Sequence, residues 1–444
     1  LLLIAASVVS IIWQAGIASK ERDNAKLETL KAEQINKFLN DMLSSAGPEK
    51  SGKDVKVVDV LEEASKKISS ELNNQPEIEA ELRTTLGITY QGLGLYDEGI
   101  TQLSRAFKLR DSLYGENNVK TGKSIKNLAL IFHYKGDMDT AKYLYEKSIK
   151  ILRGLNIKNS PELSEALNDY GTFQQDLHLF PESEASFKEA LKMNRVIYGK
   201  EHREISSILN NLALSYHYRK DYESAEKYYK EALEMNKKLF GDSTINVTYN
   251  LNNLAFVMEQ KGDLIAAESL FTEAYDIRKK ILGDNHPELA LTKYNLGCLF
   301  FDLKKYDKAE KYITEAIDIW KGKLSSDHYY FGNAYSWLGR VQNHKKQYDK
   351  AFQNLNKALA IRRKMYAEDS ELIINTETEL GRCLFLQKRF EESEKILLSN
   401  FKKIKKKENF NERVPKYLIE AIIDLYNNWG KKDEAKKYSA LLPT

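Results

Sequence analysis

Asn210-Asn211-Leu212-Ala213 and Asn252-Asn253-Leu254-Ala255 are the same four residues, set 42 positions apart. They are two copies of a register that steps by 42 through Leu86, Leu128, Tyr170, Leu212, Leu254, Leu296, Leu338, Leu380 and Ile422. A small residue follows each of the first eight: Gly87, Ala129, Gly171, Ala213, Ala255, Gly297, Gly339 and Gly381. Twenty residues after the bulky position a second small one recurs, as Ala106, Ser148, Ala190, Ala232, Ala274, Ala316 and Ala358. A period kept without insertion means that each unit is one supersecondary element burying its apolar face only against its neighbours. The chain therefore reads as an all-α solenoid.

Each unit is expected to hold two helices. Leu282-Gly283-Asp284-Asn285-His286-Pro287-Glu288-Leu289 ends one helix on Gly and opens the next with a polar cap, a proline and an early carboxylate, and Ser160-Pro161-Glu162 repeats the start signal. Between the two helices lies a tight turn at Gly94, Gly136, His178, Lys220, Gly262, Lys304, Lys346, Lys388 and Gly430. Five of these nine are not Gly, so the sequence argues against an obligatory left-handed backbone there. Five residues later a small side chain (Gly99, Ala141, Ser183, Ala225, Ala267, Ala309, Ala351, Ser393, Ala435) lets the second helix approach the first. Stacked antiparallel pairs accumulate into a superhelix with a concave wall.

Composition agrees. Only 7 prolines and 22 glycines interrupt 444 residues that are 42% hydrophobic and 30% charged, and strand signals are nearly absent. The 68 basic and 64 acidic residues are interspersed, so the formal charge of +4 creates no field that argues for nucleic acid. The basic run from Lys402 to Lys407 reads as a solvated helix end. Cys298 and Cys383 lie two units apart and form no disulfide framework.

Residues 1–18, LLLIAASVVSIIWQAGIA, carry no charge and approach the length of a membrane helix, with Trp13 placed as an interfacial anchor. A secretory signal peptide ending at Gly16-Ile17-Ala18 is the rival reading. Residues 19–45 have helical spacing, as a juxtamembrane helix. Residues 46–56, with Ala46-Gly47-Pro48, form a linker, and 57–76 form a helix that caps the repeats.

The recurring Leu-Gly/Ala, aromatic, small-residue and Ala positions resemble the tetratricopeptide repeat across residues 77–444, as eight full repeats and a shortened ninth. The 42-residue length, the two Asn-Asn-Leu-Ala segments and the Gly-Asp-Asn-His-Pro loop resemble the kinesin-light-chain subtype. That resemblance implies a right-handed superhelix and a non-enzymatic scaffold for a protein or peptide ligand. Trp13-Gln14-Ala15, Glu21-Arg22-Asp23, Phe38-Leu39, Gln75-Pro76-Glu77 and Leu82-Arg83-Thr84-Thr85-Leu86-Gly87 resemble the segment that joins a membrane helix to repeats in bacterial serine/threonine protein kinases. This second resemblance implies a bacterial inner-membrane anchor through residues 1–18, repeats on the extracytoplasmic side, a kinase domain upstream and a sensor role, with self-association as one way to signal. No Gly-rich loop, His-Arg-Asp or Asp-Phe-Gly motif lies within the chain itself.

Nothing in the sequence assembles chemistry: no catalytic residue, cofactor motif or metal set is expected. The seven histidines form no ligand pair at helical spacing, and His202, His286 and His328 stand where helix caps belong. A helical wheel does find a surface. Taking the bulky register residue as zero, positions −2, +2, +5 and +6 project away from the apolar side. They give His133 and Tyr134; Asn168, Gln175 and Asp176; Asn210, His217 and Tyr218; Asn252, Phe256, Glu259 and Gln260; Tyr294, Phe301 and Asp302; Arg340, Asn343 and His344; and Arg382 and Phe385. Among them Tyr134, Asn168, Asn210, His217, Tyr218, Asn252, Phe256, Tyr294, Phe301, Arg340, Asn343 and Arg382 are the candidate ligand-groove residues. Asparagine can pair with a peptide backbone through donor and acceptor, and Tyr, Phe and Arg supply anchors. Asn210 and Asn252 are expected as exposed amides, and Arg340 and Arg382 as partners for an acidic ligand group.

Overall fold

The tight turn is where sequence and backbone part company. In the computed structural model, which describes residues 29, 32–38, 40, 56–72, 74–157, 159–405 and 415–442, all nine turn residues are left-handed. Their φ values run from 58° at Lys304 to 88° at Gly136, the five non-glycine residues at 58–64° and the four glycines at 75–88°. The reason is a hydrogen bond that recurs at every turn. The amide following the turn residue donates to a carbonyl five positions back, as Leu95 to Tyr90, Lys305 to Phe300 and Lys431 to Tyr426, always at 2.8–3.0 Å. This closure satisfies carbonyls the helix end would otherwise orphan and requires the left-handed residue. The five non-glycine side chains accept a cost of about 1 kcal/mol each for it.

Every element among the described residues is an α-helix. Helix α1 (Val57–Glu71) precedes the pairs α2 (Pro76–Gly92) and α3 (Tyr96–Tyr114), α4 (Val119–Lys135) and α5 (Met138–Gly154), α6 (Pro161–Asp176) and α7 (Phe180–Tyr198), and α8 (Arg203–Tyr218) and α9 (Tyr222–Phe240). The series continues with α10 (Ile245–Gln260) and α11 (Leu264–Leu282), α12 (Pro287–Asp302) and α13 (Tyr306–Lys321), α14 (Tyr329–His344) and α15 (Tyr348–Met365), α16 (Glu371–Leu386) and α17 (Phe390–Lys405), and a short last pair, α18 (Lys416–Trp429) and α19 (Lys432–Ser439). They divide between two compact units, with the boundary at Ser215 and Tyr216. The candidate membrane segment 1–18 and most of 19–56 lie outside the described residues. Among those described, no helix is long and apolar enough to cross a membrane.

Within each pair, the small residue after the register position is what permits close approach. A Cβ on Gly297 would lie 2.6 Å from Ile313 Cγ1 and 3.2 Å from its backbone nitrogen. On Gly171 it would lie 2.7 Å from the Phe187 ring. The starts of the second helices are capped where the residue allows it: Asp137, Asp221 and Asp263 accept from the amides of Thr140, Ser224 and Ala266. The three loop histidines do cap, each ring Nδ1 accepting from an amide two residues on, as His286 does from Glu288 at 3.1 Å.

The expected capping helix is α1. Leu61, Ala64 and Ile68 bury against Ile78, Leu82, Leu86 and Tyr90 of α2, with Ile35 and Phe38 packed on the same cluster. Arg83 fixes the orientation, donating to Glu79 at 2.8 Å, to Gln102 of α3 at 2.7 Å and to Ser69 of α1 at 2.9 Å. At the other end, α18 and α19 close over Phe385, Leu397 and Phe401 through Leu418, Ile422, Leu425 and Ala435.

Two stability outcomes follow from this packing, each read by chemical denaturation followed by circular dichroism. Lys304→Gly should raise stability by about 1 kcal/mol, because the left-handed turn loses its steric cost. Gly297→Ala should lower it by about 1–3 kcal/mol, the clash with Ile313 outweighing the better helix propensity of alanine.

Candidate functional site

The first helix of each pair presents the surface that the wheel analysis singled out, and neighbouring first helices determine how much of it is exposed. Position +5 proves to be a seam between successive first helices. The Gln175 amide donates to Asn211 O at 2.8 Å and to Ser215 Oγ at 2.7 Å. Asn343 donates to Glu379 O at 3.2 Å. His133 Nε2 pairs with Asp176 at 2.9 Å, and Phe301 stands edge-on to His344 and Trp337. Phe301, Asn343, His133, Gln175 and Phe385 are consequently buried, where an isolated wheel had placed them outward. A wheel sees one helix, and the seam belongs to two.

Asn252 also departs from expectation. It is 6% exposed, with a buried Oδ1 that has no hydrogen-bond partner among the described residues, so it is a wall residue and not an exposed amide. Asn210 remains half-buried. Asn168 is half-buried and accepts from Asn211 Nδ2 at 3.1 Å. Tyr134 and Tyr218 are exposed, 58% and 54%. Phe256 packs edge-on against Phe271, and Tyr294 leans on Trp320. His217 sits against Tyr218 and Tyr222, and burial lowers its pKa.

Arg340 and Arg382 are already engaged. The Arg340 guanidinium lies over Phe301 at 4.6 Å and Trp337 at 4.9 Å, with Glu379 3.9 Å away. Arg382 binds Asp424 at 3.1 Å and Tyr417 O at 3.2 Å. Both guanidiniums thus bridge successive first helices, Arg340 with its side chain 41% exposed.

Charged groups also lie on this face, among them Lys126, Glu165 and Asp169, which the helical wheel did not single out. Lys126 of α4, its side chain 5% exposed, is clasped by Glu165 at 2.6 Å and Asp169 at 3.1 Å from α6. Burial, only partly offset by Lys126, holds the Asp169 carboxyl above its usual range. In the second unit, Glu259 of α10 is pushed up to about 7 by burial and then by the charge of Asp302 on α12. Glu259 occupies the +5 seam and Asp302 the +6 place after it, which in the first unit hold His133 and Asp176. An attractive pair there is replaced by a repulsive one.

A sequence model of the tetratricopeptide repeat family matches residues 79–154, 162–238, 245–322 and 330–399, and the chain belongs to that family. A search of curated proteins finds no match. Among solved structures, the apo form of RapI is similar over 82% of this chain and 96% of its own, at 15% identity and a TM-score of 0.58. A Signal Transduction ATPase with Numerous Domains protein with a tetratricopeptide repeat sensor, from Pyrococcus horikoshii, is similar over 83% of this chain and 53% of its own, at 16% identity and a TM-score of 0.55. A putative kinesin light chain from P. anserina with nearly identical repeats matches 47% of this chain and 99% of its own, at 18% identity and a TM-score of 0.40. At these identities the likeness is one of fold.

The Glu259 carboxyl makes the second unit sensitive to pH. Its folded pKa is raised above the ordinary carboxylate value, so the folded state holds a proton the unfolded state has lost. Stability should therefore fall as pH rises from about 4.5 to about 7. Glu259→Gln should leave the unfolding midpoint unchanged at acid pH and raise stability above neutrality by about 3 kcal/mol, as measured by denaturation across the pH range.

Proposed function

We propose that this chain is a non-enzymatic protein-binding scaffold that holds extended segments of a partner on the first-helix face of each unit. The observation that carries the reading is the placement of Tyr134 and Tyr218. Each is large, rigid and exposed at the +6 position of a first helix, Tyr134 in the first unit and Tyr218 in the second, and each stands against the histidine at +5. Aromatic anchors of this kind supply most of the energy of a peptide interface at low entropic cost. The helix pairs are locked by their turns, so the surface is preformed and binding requires little rearrangement.

A second reading is favoured by the run from Trp13 to Asp23 and its continuation to Gly87. The array would then be the sensor half of a membrane-anchored bacterial receptor kinase, in which partner capture or self-association biases an upstream catalytic domain. The Pyrococcus horikoshii protein is named as a Signal Transduction ATPase with Numerous Domains protein with a tetratricopeptide repeat sensor. Extending the reading frame upstream of Leu1 discriminates the two readings: a Gly-rich loop and a catalytic loop there support the sensor, and another type of domain ends it.

The scaffold itself is tested by quantitative capture from a cell extract with mass-spectrometric identification. Tyr134→Ala and Tyr218→Ala together should weaken retention of the dominant partner by at least tenfold, about 1.4 kcal/mol or more. Thermal stability should be unchanged, because both side chains are exposed. Undiminished capture by the double variant would remove these tyrosines from the interface.

A further inference from the structure

Three arginines stand 84 residues or a multiple of it apart, near the ends of second helices: Arg110, Arg278 and Arg362. Each is buried, and each wedges its guanidinium between the first helix of its own repeat and that of the next. Arg110 reaches Glu81, Thr84 and Ser124, all at 2.8 Å. Arg278 reaches Thr248 at 2.8 Å, Glu288 O at 3.1 Å and Thr292 at 2.9 Å. Arg362 reaches Asn333 at 2.9 Å, Ser336 at 3.4 Å, Leu372 O at 2.8 Å, and Thr376. Counted from the register residue of its own repeat, the guanidinium finds groups at −5 and −2 in the case of Arg110 and Arg362 and at −6 in the case of Arg278. Counted from that of the next repeat, all three find a hydroxyl at −4, and Arg278 and Arg362 also find a carbonyl at −8.

The same spacing reaches position 194, where the residue is Asn. The guanidinium's surroundings are largely kept. Glu165 and Asn168 stand at −5 and −2 on α6, in the places of Glu81 and Thr84, and Glu204 stands at −8 on α8, in the place of Glu288. These groups, with Asn194, line a cavity of about 700 Å³ within the first unit. Asn194 is 4% exposed, and its Oδ1 has no hydrogen-bond partner among the described residues. The −4 residue of the next repeat is Ile208, which offers it none. At the equivalent place one repeat later, Asn236 finds Asn250 at 2.6 Å, so an amide at this position is ordinarily partnered. Tyr198 and His202, stacked at 4.0 Å, add an aromatic wall on which a planar cation can lie. Lys126 and Lys123 reach Glu165 from α4, and Arg203 at the cavity's edge is 74% exposed, its Nε on Glu204 at 3.0 Å.

We propose that this cavity between α6, α7 and α8 is a binding site for the guanidinium of an arginine side chain on the captured partner segment. The ligand's guanidinium takes the position that Arg110, Arg278 and Arg362 fill from within the chain elsewhere. It donates to the Glu165 and Glu204 carboxylates and to the orphaned Asn194 Oδ1. Arginine is selected over lysine because its planar fork addresses groups on two helices at once, whereas an ammonium is a single point of charge. The site deepens the scaffold reading and rests on it, since the arginine arrives on the bound segment.

The test is calorimetric titration of the whole chain with a capped Ala-Gly-Arg-Gly-Ala peptide and with the same peptide carrying lysine or citrulline. The arginine peptide should bind at least about tenfold more tightly than either, and Glu204→Gln should weaken it by a similar factor. Asn194→Arg should raise the thermal unfolding midpoint by seating an internal guanidinium and should abolish peptide binding. Equal binding of the arginine and lysine peptides, no arginine-peptide binding at millimolar concentration, or undiminished binding by Glu204→Gln would overturn the site, even if Asn194→Arg failed to fold. Partner capture that persists through the exposed tyrosines while the arginine peptide fails would remove this site and leave the scaffold standing.

Discussion

Everything in this array hangs on the backbone closure between the two helices of each repeat. An amide donates to a carbonyl five residues earlier, and the residue before that amide is forced left-handed. Nine repetitions of one turn geometry give nine helix pairs the same starting angle. Only then can a small residue after the register position meet a bulky side chain sixteen residues later, as Gly297 meets Ile313 and Gly171 meets Phe187. Side chains tune the pair, and the turn makes it. That is why His178 and four lysines tolerate a conformation that glycine would take without strain.

Between repeats a different problem is solved, and solved variably. The end of a second helix must fill a wedge bounded by two first helices. Arg110, Arg278 and Arg362 do so with a guanidinium that finds hydroxyls and carbonyls on both sides. Asn236 does so with an amide facing Asn250. Buried charge is costly unless fully bonded, so each solution depends on a matching partner in the next repeat. Asn194 is the one whose counterpart, Ile208, does not match. A local mismatch in an otherwise self-consistent series is the kind of position where function displaces stability.

The face of the first helices shows a similar economy. Its seam at +5 carries His133 against Asp176, Gln175 against Ser215, and Phe301 against His344 in turn. The Glu259 and Asp302 carboxyls occupy the same geometry without an opposite charge, and the result is a proton held near neutrality. Lys126, clasped by two acids from the following repeat, shows the opposite balance.

How much of this was legible in the sequence differs with the distance over which the deciding interaction acts. The 42-residue period, the paired helices, the capping α1 and the loop histidines at helix starts are local or repeat-local, and strict self-similarity displays them directly. The Arg110, Arg278 and Arg362 series was also visible as spacing, but its meaning was not, because the groups it satisfies lie on two other helices. The left-handed turn was misjudged because composition reports what a side chain prefers, while the hydrogen bond reports what the backbone must do. Asn252, Phe301 and Asn343 were placed outward because a helical wheel treats one cylinder alone. Burial at a seam, the engagement of Arg340 and Arg382, and the cavity beside Asn194 arise only where neighbouring repeats meet. By itself the sequence determined the unit and its repetition, since these depend on contacts within about one period. The tertiary structure decided which polar groups are already satisfied and which are left for a partner, since that depends on contacts the period brings together but does not name.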